Sequence, residues 1–294
     1  MPTTMVAQSL ASGILVGALY GLAAVGLSLV FGVTKILNVS HGELLMLGGY
    51  TSFWLFTLFG VDPFAGIPLS MFALVIIGLI VYQLLFSRLI KLPTEDKIRT
   101  SLLVGFGLGL MLQNIALRLW TADNRGITPS YAGAVLTVLG VRLPYVRVAS
   151  LVIAFVFLLA LQLFLQKTYT GKAIRATAQD WEAATLMGIN VHRVYLLSFV
   201  LGTALAGAAG TLVAVGYSVE PVMGLHWTLK ALIVLVMGGI GSIAGTLIGG
   251  LILGVTESAA AVWISGNYRH VVGLAIFILV LLIRPQGLFG AKEG

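Results

Sequence analysis

Along the chain, apolar residues run in long stretches and polar residues gather in the short gaps between them. A helix needs about 20 predominantly apolar residues to span a bilayer. Candidate spans lie at 8–33, 42–60, 66–87, 100–120, 147–166, 194–217 and 271–284. The stretch 229–263 is too long for one simple span and is broken near GGIGSIAG (238–245). It reads as one long bent helix or as two short ones, so eight and nine crossings both stand. A transmembrane barrel would alternate apolar and polar residues over strands of about 10 residues, and that alternation is absent. The pattern predicts an all-α integral membrane protein, a polytopic helical bundle of eight or nine transmembrane segments, forming one domain over 1–294.

Composition sharpens the class. Of the 294 residues, 59% are hydrophobic and 9% charged, against about 25% charged in a soluble domain. The 36 glycines fall within the apolar stretches, where small residues let helix backbones approach closely. Cysteine is absent, which excludes disulfides, thiol chemistry and cysteine-based metal sites. His41, His192, His226 and His270 show no metal-ligand spacing.

A net charge of +7 invites a nucleic-acid reading, but basic loops on the cytoplasmic side explain it better, so no nucleic-acid partner is expected. Arg88, Lys91, Lys97 and Arg99 lie in a loop at 88–99. Lys167, Lys172, Arg175 and Arg193 lie in 167–193, with Lys35 at a further turn and Arg284 and Lys292 in the tail. Placing these inside puts the uncharged N-terminus outside, although Arg125, Arg142 and Arg147 then fall on the outer side. An outside N-terminus with an inside C-terminus favours nine crossings. The start, MPTTMVAQSLASG, lacks the basic region of a cleaved signal peptide and reads as a retained helix. The loop 121–146, with Pro and Gly breaks and alternating Val and Leu, predicts a small extracytoplasmic element.

No nucleotide site of the P-loop type is present, because Gly171-Lys172 is followed by Ala173 and position 166 is Gln. Gly239-Ile240-Gly241-Ser242-Ile243-Ala244 matches the dinucleotide spacing, but the strand-to-helix context is missing. These glycines fit a close-packed helix bend. Gly241, Gly245 and Gly249 continue as a small-residue ladder, and Gly17/Gly21, Gly105/Gly109 and Gly250/Gly254 repeat its spacing. Ordinary packing within the chain accounts for them.

Ionisable groups inside apolar stretches are costly, and they face a cavity or a partner. Asn38, His41, Glu43, Gln113, Asn114 and Glu257 are the candidates for a substrate pathway. Asn38-Val-Ser-His41-Gly42-Glu43 lies at the boundary of the first two spans, where a helix cap with an interhelical hydrogen-bond network competes with a gating role. Glu257 lies deeper. No Gly-x-Ser-x-Gly elbow or paired acidic motif marks an enzyme.

One segment breaks the apolar pattern. Lys167–Arg193, KTYTGKAIRATAQDWEAATLMGINVHR, is too polar to span. Thr170 and Gly171 allow a turn, and good helix formers follow Lys172. Asp180 and Glu182 suit the first turn of a short helix, and Gly188 with Asn190 supplies an exit. Trp181, Ala184, Thr185 and Gly188 share one face, small enough for a groove on another protein.

Glu182-Ala183-Ala184-x-x-x-Gly188 resembles the cytoplasmic coupling segment of ABC importer permeases. The Ile-x-Leu-Pro of the commonest pattern is missing, since Tyr195-Leu-Leu-Ser-Phe199 occupies that region. The wider chain resembles LivH-type permeases of branched-chain amino acid ABC transporters. GALYGLAAVGLSLVFGVTKILNVSHGELLMLGGY (17–50), TGKAIRATAQDWEAATLMGINVHRV (170–194), LKALIVLVMGGIGSIAGTLIGGLILGVTE (229–257) and RPQGLFG (284–290) carry the resemblance. It implies a bacterial inner-membrane importer with a periplasmic amino-acid-binding protein, a LivM-type second permease and two ATPase subunits that use the ATP. This chain would need no cofactor and no metal. Its coupling residues would be Gly171, Arg175, Asp180, Glu182, Ala183, Ala184 and Gly188. Relatives that carry urea or amides, and a self-sufficient secondary carrier, are the alternatives.

Overall fold

The computed structural model describes residues 3–138, 140–284 and 286–290. Among them eleven α-helices are present: α1 Thr3–Thr34, α2 His41–Phe59, α3 Ile67–Leu84, α4 Thr94–Trp120, α5 Tyr145–Lys167, α6 Tyr169–Gln179, α7 Trp181–Leu186, α8 Val191–Gly216, α9 Met223–Gly238, α10 Ile243–Trp263 and α11 Arg269–Ile283. Six of them, α1, α3, α4, α5, α8 and α10, are long and apolar enough to cross a membrane by length and composition. Shorter apolar helices cover Met223–Gly238 and Val271–Ile283. The chain is a multi-pass helical membrane protein.

α1 and α8 form the centre. α1 packs along α10 and α8, and α8 packs along α2 and α3. Their contact faces are built from glycine and alanine, and backbones touch there. A Cβ on Gly17 would stand 2.7 Å from the Gly250 carbonyl, and one on Gly26 would stand 2.6 Å from that of Gly202. Without a hydrophobic force between helices in lipid, such close van der Waals contact is what holds them. The small-residue ladders therefore serve packing within this chain. α3, α4 and α5 lie outside this core and turn Phe72, Leu103, Phe106 and Val156 outward, as a lipid-facing surface requires.

The stretch 229–263 is two helices. α9 ends at Gly238, and α10 starts behind Ser242, whose hydroxyl accepts the Gly245 N–H at 3.0 Å. Gly239 (φ 94°) and Gly241 (φ 79°) make the turn in conformations that other residues rarely adopt. The RPQGLFG tail docks on this break: Leu288 N–H donates to the Met237 carbonyl at 2.8 Å and Phe289 N–H to that of Gly238 at 3.2 Å. Lys292 and Pro285 lie outside the described residues.

The expected loop at 88–99 is shorter than its charges suggest. A 3-10 helix occupies Phe86–Lys91, and α4 begins at Thr94, so Lys97 and Arg99 ride on a helix. Pro93 precedes that helix, and Glu95 and Asp96 suit its first turn. The small element in 121–146 is a hairpin, β1 Val135–Val138 antiparallel to β2 Val141–Pro144. It is tied down near its turn, where Gln8 Nε2 donates to the Arg142 carbonyl at 2.7 Å and the Arg142 N–H donates to Gln8 Oε1 at 2.9 Å. The Tyr131 hydroxyl donates to Asp62 Oδ2 at 2.6 Å. Burial first, then the Asp62 contact, push the Tyr131 hydroxyl well above its usual pKa.

Candidate functional site

The polar residues at the first helix boundary build a junction of two helix starts. After α1, residues 35–40 run back into the bundle, and Leu37 N–H donates to Ser101 Oγ at 3.0 Å. Asn38 Oδ1 accepts from the Ser40 N–H at 3.2 Å and the Ser40 hydroxyl at 2.6 Å, which turns the chain into α2. His41 is buried, and its Nε2 donates to the Ala23 carbonyl at 2.9 Å. Both side chains are held by hydrogen bonds within this chain.

Glu43 differs. It is buried in the first turn of α2, and its carboxylate accepts the Leu225 backbone N–H from the first turn of α9. Among the described residues its Oε2 has no hydrogen-bond partner. Two helix N-termini thus converge on one carboxylate. Gly224 admits it, because a Cβ there would overlap the Glu43 carboxyl. Thr228 Oγ1 locks the junction by accepting the Gly42 N–H at 2.8 Å and donating to the Val39 carbonyl at 2.9 Å. A cavity of about 30 Å³ beside Glu43 is lined by Gly105, Gly109 and Gln113 of α4. Asn114 is not brought here: it is exposed and its Nδ2 donates to the Leu110 carbonyl of its own helix at 2.7 Å.

Glu257 builds a separate cluster. It is fully buried on α10. Lys230 of α9 pairs with its Oε1, Arg269 Nε of α11 stands 3.4 Å from Oε2, and the Tyr20 hydroxyl of α1 donates to Oε2 at 2.9 Å. Four helices meet on one carboxylate. The Lys230 ammonium also lies over the Tyr20 ring, 5.5 Å from its centroid. Tyr20, Lys230 and Arg269 go beyond the residues singled out from sequence. The rule that selects Glu257 could have found Lys230, an ammonium inside the apolar stretch 229–263. Tyr20 and Arg269 carry no such signal. Among the described residues no group of three or more metal-ligating side chains could hold an ion.

The polar segment folds into α6 and α7. Thr168 caps α6 by accepting the Gly171 N–H at 2.9 Å, and Gly171 is buried where a Cβ would strike the α5 backbone. Asp180 Oδ1 caps α7, accepting from Glu182 N–H at 2.9 Å and Ala183 N–H at 3.0 Å. Gly188 (φ 81°) ends the turn, and Asn190 Oδ1 caps α8 by accepting the Arg193 N–H at 3.0 Å. Glu182 and Ala183 are exposed. Arg175 is exposed on α6 beside Gly241–Ala244.

Of the face its spacing suggests, Trp181, Thr185 and Gly188 are exposed and Ala184 is not. Ala184 is buried against this chain, whereas Leu186 and Met187 stand 88% and 82% exposed. Trp181 and Thr185 border a groove of about 540 Å³ against Pro93, Lys97 and Tyr195.

Comparison with known proteins places this architecture. Residues 9–281 match the profile of the family described as branched-chain amino acid transport system / permease component. The high-affinity branched-chain amino acid transport system permease protein BraD of Pseudomonas aeruginosa is 34% identical, over 97% of this chain and 96% of that one. LivH of Salmonella typhimurium, another high-affinity branched-chain amino acid transport system permease protein, is 34% identical with the same coverage, 97% and 96%. A solved structure, PsaBC from Streptococcus pneumoniae in complex with Fab, reaches a TM-score of 0.47 at 16% identity, over 96% of this chain and 93% of that one. With a matching profile over nearly its whole length and relatives of this identity, the chain belongs to the branched-chain amino acid transport permease family.

Proposed function

We propose that this chain is a permease subunit of an ATP-binding-cassette importer that carries branched-chain amino acids across the bacterial inner membrane by alternating access. The observation that carries this reading is 34% identity to BraD spread over 97% of the chain, which leaves no large part unaccounted for. ATP hydrolysis belongs to two separate ATPase subunits, a LivM-type permease completes the pore, and a periplasmic amino-acid-binding protein delivers the substrate.

In this reading α1–α5 and α8–α11 make nine crossings, with the N-terminus outside and α6–α7 in the cytoplasm. The division of 229–263 into α9 and α10 supports the odd count. The basic residues Lys167, Lys172, Arg175 and Arg193 support the placement of α6–α7. Capped at both ends and carrying exposed Leu186 and Met187, α7 offers the ATPase an apolar contact on an otherwise polar segment.

Reconstitution tests the proposal. Liposomes holding this chain with its second permease and ATPase should accumulate leucine only when ATP and the binding protein are both supplied. Accumulation by this chain alone, driven by an ion gradient, would overturn it in favour of a secondary carrier.

A further inference from the structure

Beside the Glu257 cluster lies a cavity of about 390 Å³, within the ~300–1,000 Å³ range of small-molecule sites. Lys230 and Arg269 line it, as do Tyr20, Trp227 and Glu220. We propose that this cavity is an amino-acid site of the permease. Arg269 and Lys230 take the α-carboxylate, Glu220 faces the ammonium, and the aromatic wall takes the aliphatic side chain. The inference rests on the amino-acid permease reading and goes further, since it names the place and the chemistry of recognition.

The charges point to a carboxylate. Glu257 is shared by two cations, and the Arg269 side chain is 30% exposed where Lys230 is 7%. Arg269 approaches Glu257 by its Nε edge and also lines the cavity. A guanidinium offers five donors in a planar fork, which suits a second, bidentate carboxylate. In low dielectric such a contact is stronger than in water.

The wall is already in place. The Trp227 ring meets those of Tyr20 and Tyr217 edge-on at centroid distances of 5.8 and 6.4 Å, and Arg147 lies over Tyr217 at 5.5 Å. Val222 and Met223 add apolar surface. A rigid wall needs little ordering when a ligand enters.

A thiol reporter tests this. The chain has no cysteine, so Ser218→Cys, on the lining of the cavity, gives it a single thiol. In the complete transporter in nanodiscs, leucine at about ten times its Kd should slow maleimide labelling of that thiol about tenfold. Leucinamide, which lacks the carboxylate, should leave the rate unchanged. Arg269→Gln should abolish protection by leucine, and Arg269→Lys should keep part of it. Equal protection by leucinamide overturns the carboxylate assignment. No protection in a complex that performs ATP-driven leucine uptake overturns the site and leaves the permease reading standing. A complex that takes up no leucine brings down that reading and this one together. The ligand comparison needs no change in the charged network, so it decides even where Arg269→Gln fails to assemble.

Discussion

At the scale of single residues, two buried carboxylates organise the polar interior in different ways. Glu43 sits where α2 and α9 begin, against a glycine that leaves no spare volume. Gly224→Ala should therefore destabilise the purified protein by about 1–3 kcal/mol, the usual penalty of overpacking. Combined with Glu43→Ala it should destabilise less than the sum of the two changes, because the second removes the group the methyl strikes. Strictly additive unfolding shifts would sink that account. Glu257 instead holds cations. Glu257→Gln leaves the Lys230 ammonium buried without its counter-charge and should lower stability by about 3–5 kcal/mol. Lys230→Met in the same chain should recover part of that loss in a thermal unfolding assay. Both carboxylates were legible in the sequence as ionisable groups within apolar stretches. Their partners were not: Tyr20 lies 237 positions from Glu257, and nothing local marks it.

Among the elements, the short helix α7 shows what punctuation can and cannot specify. Asp180, Gly188 and Asn190 have the side-chain and backbone properties that stop and start helices, so the boundaries were readable. The burial of Ala184 was not, because spacing groups it with Trp181 without saying which of the two is covered. Packing against the rest of the chain buries Ala184 and leaves Leu186 and Met187 outside. Asp180→Ala removes two capping hydrogen bonds, a change of about 1 kcal/mol. Its effect should fall on coupling: ATP-driven leucine uptake drops several-fold while the unfolding temperature of the permease shifts by only a few degrees. A large loss of folded protein with unchanged uptake per molecule would contradict this role. The break between α9 and α10 is the converse case. Its glycines announced a break, and the structure shows an interruption, with residues 288 and 289 bonding the last carbonyls of α9.

For the whole molecule, the proposed nine crossings make a testable geometry. With no native cysteine, Thr137→Cys on the hairpin and Thr185→Cys on α7 each report one side. A membrane-impermeant maleimide should label the first in cells with a permeable outer membrane and an intact inner one. It should label the second only after the inner membrane is opened. Labelling of both from the same side would reverse the assignment of α6–α7 to the cytoplasm. By itself the sequence determined the class, the positions of the apolar helices and the one polar segment among them. Those follow from local physics: a spanning helix must satisfy its own backbone and present apolar residues to lipid. Which helix packs on which, and so which polar groups meet, was decided by the tertiary structure. In lipid, helices choose neighbours by close fit rather than by burial of grease. The fit that sets Gly17 against Gly250 lines α1 along α10, and Tyr20 of α1 reaches Glu257 of α10 within the bundle so formed.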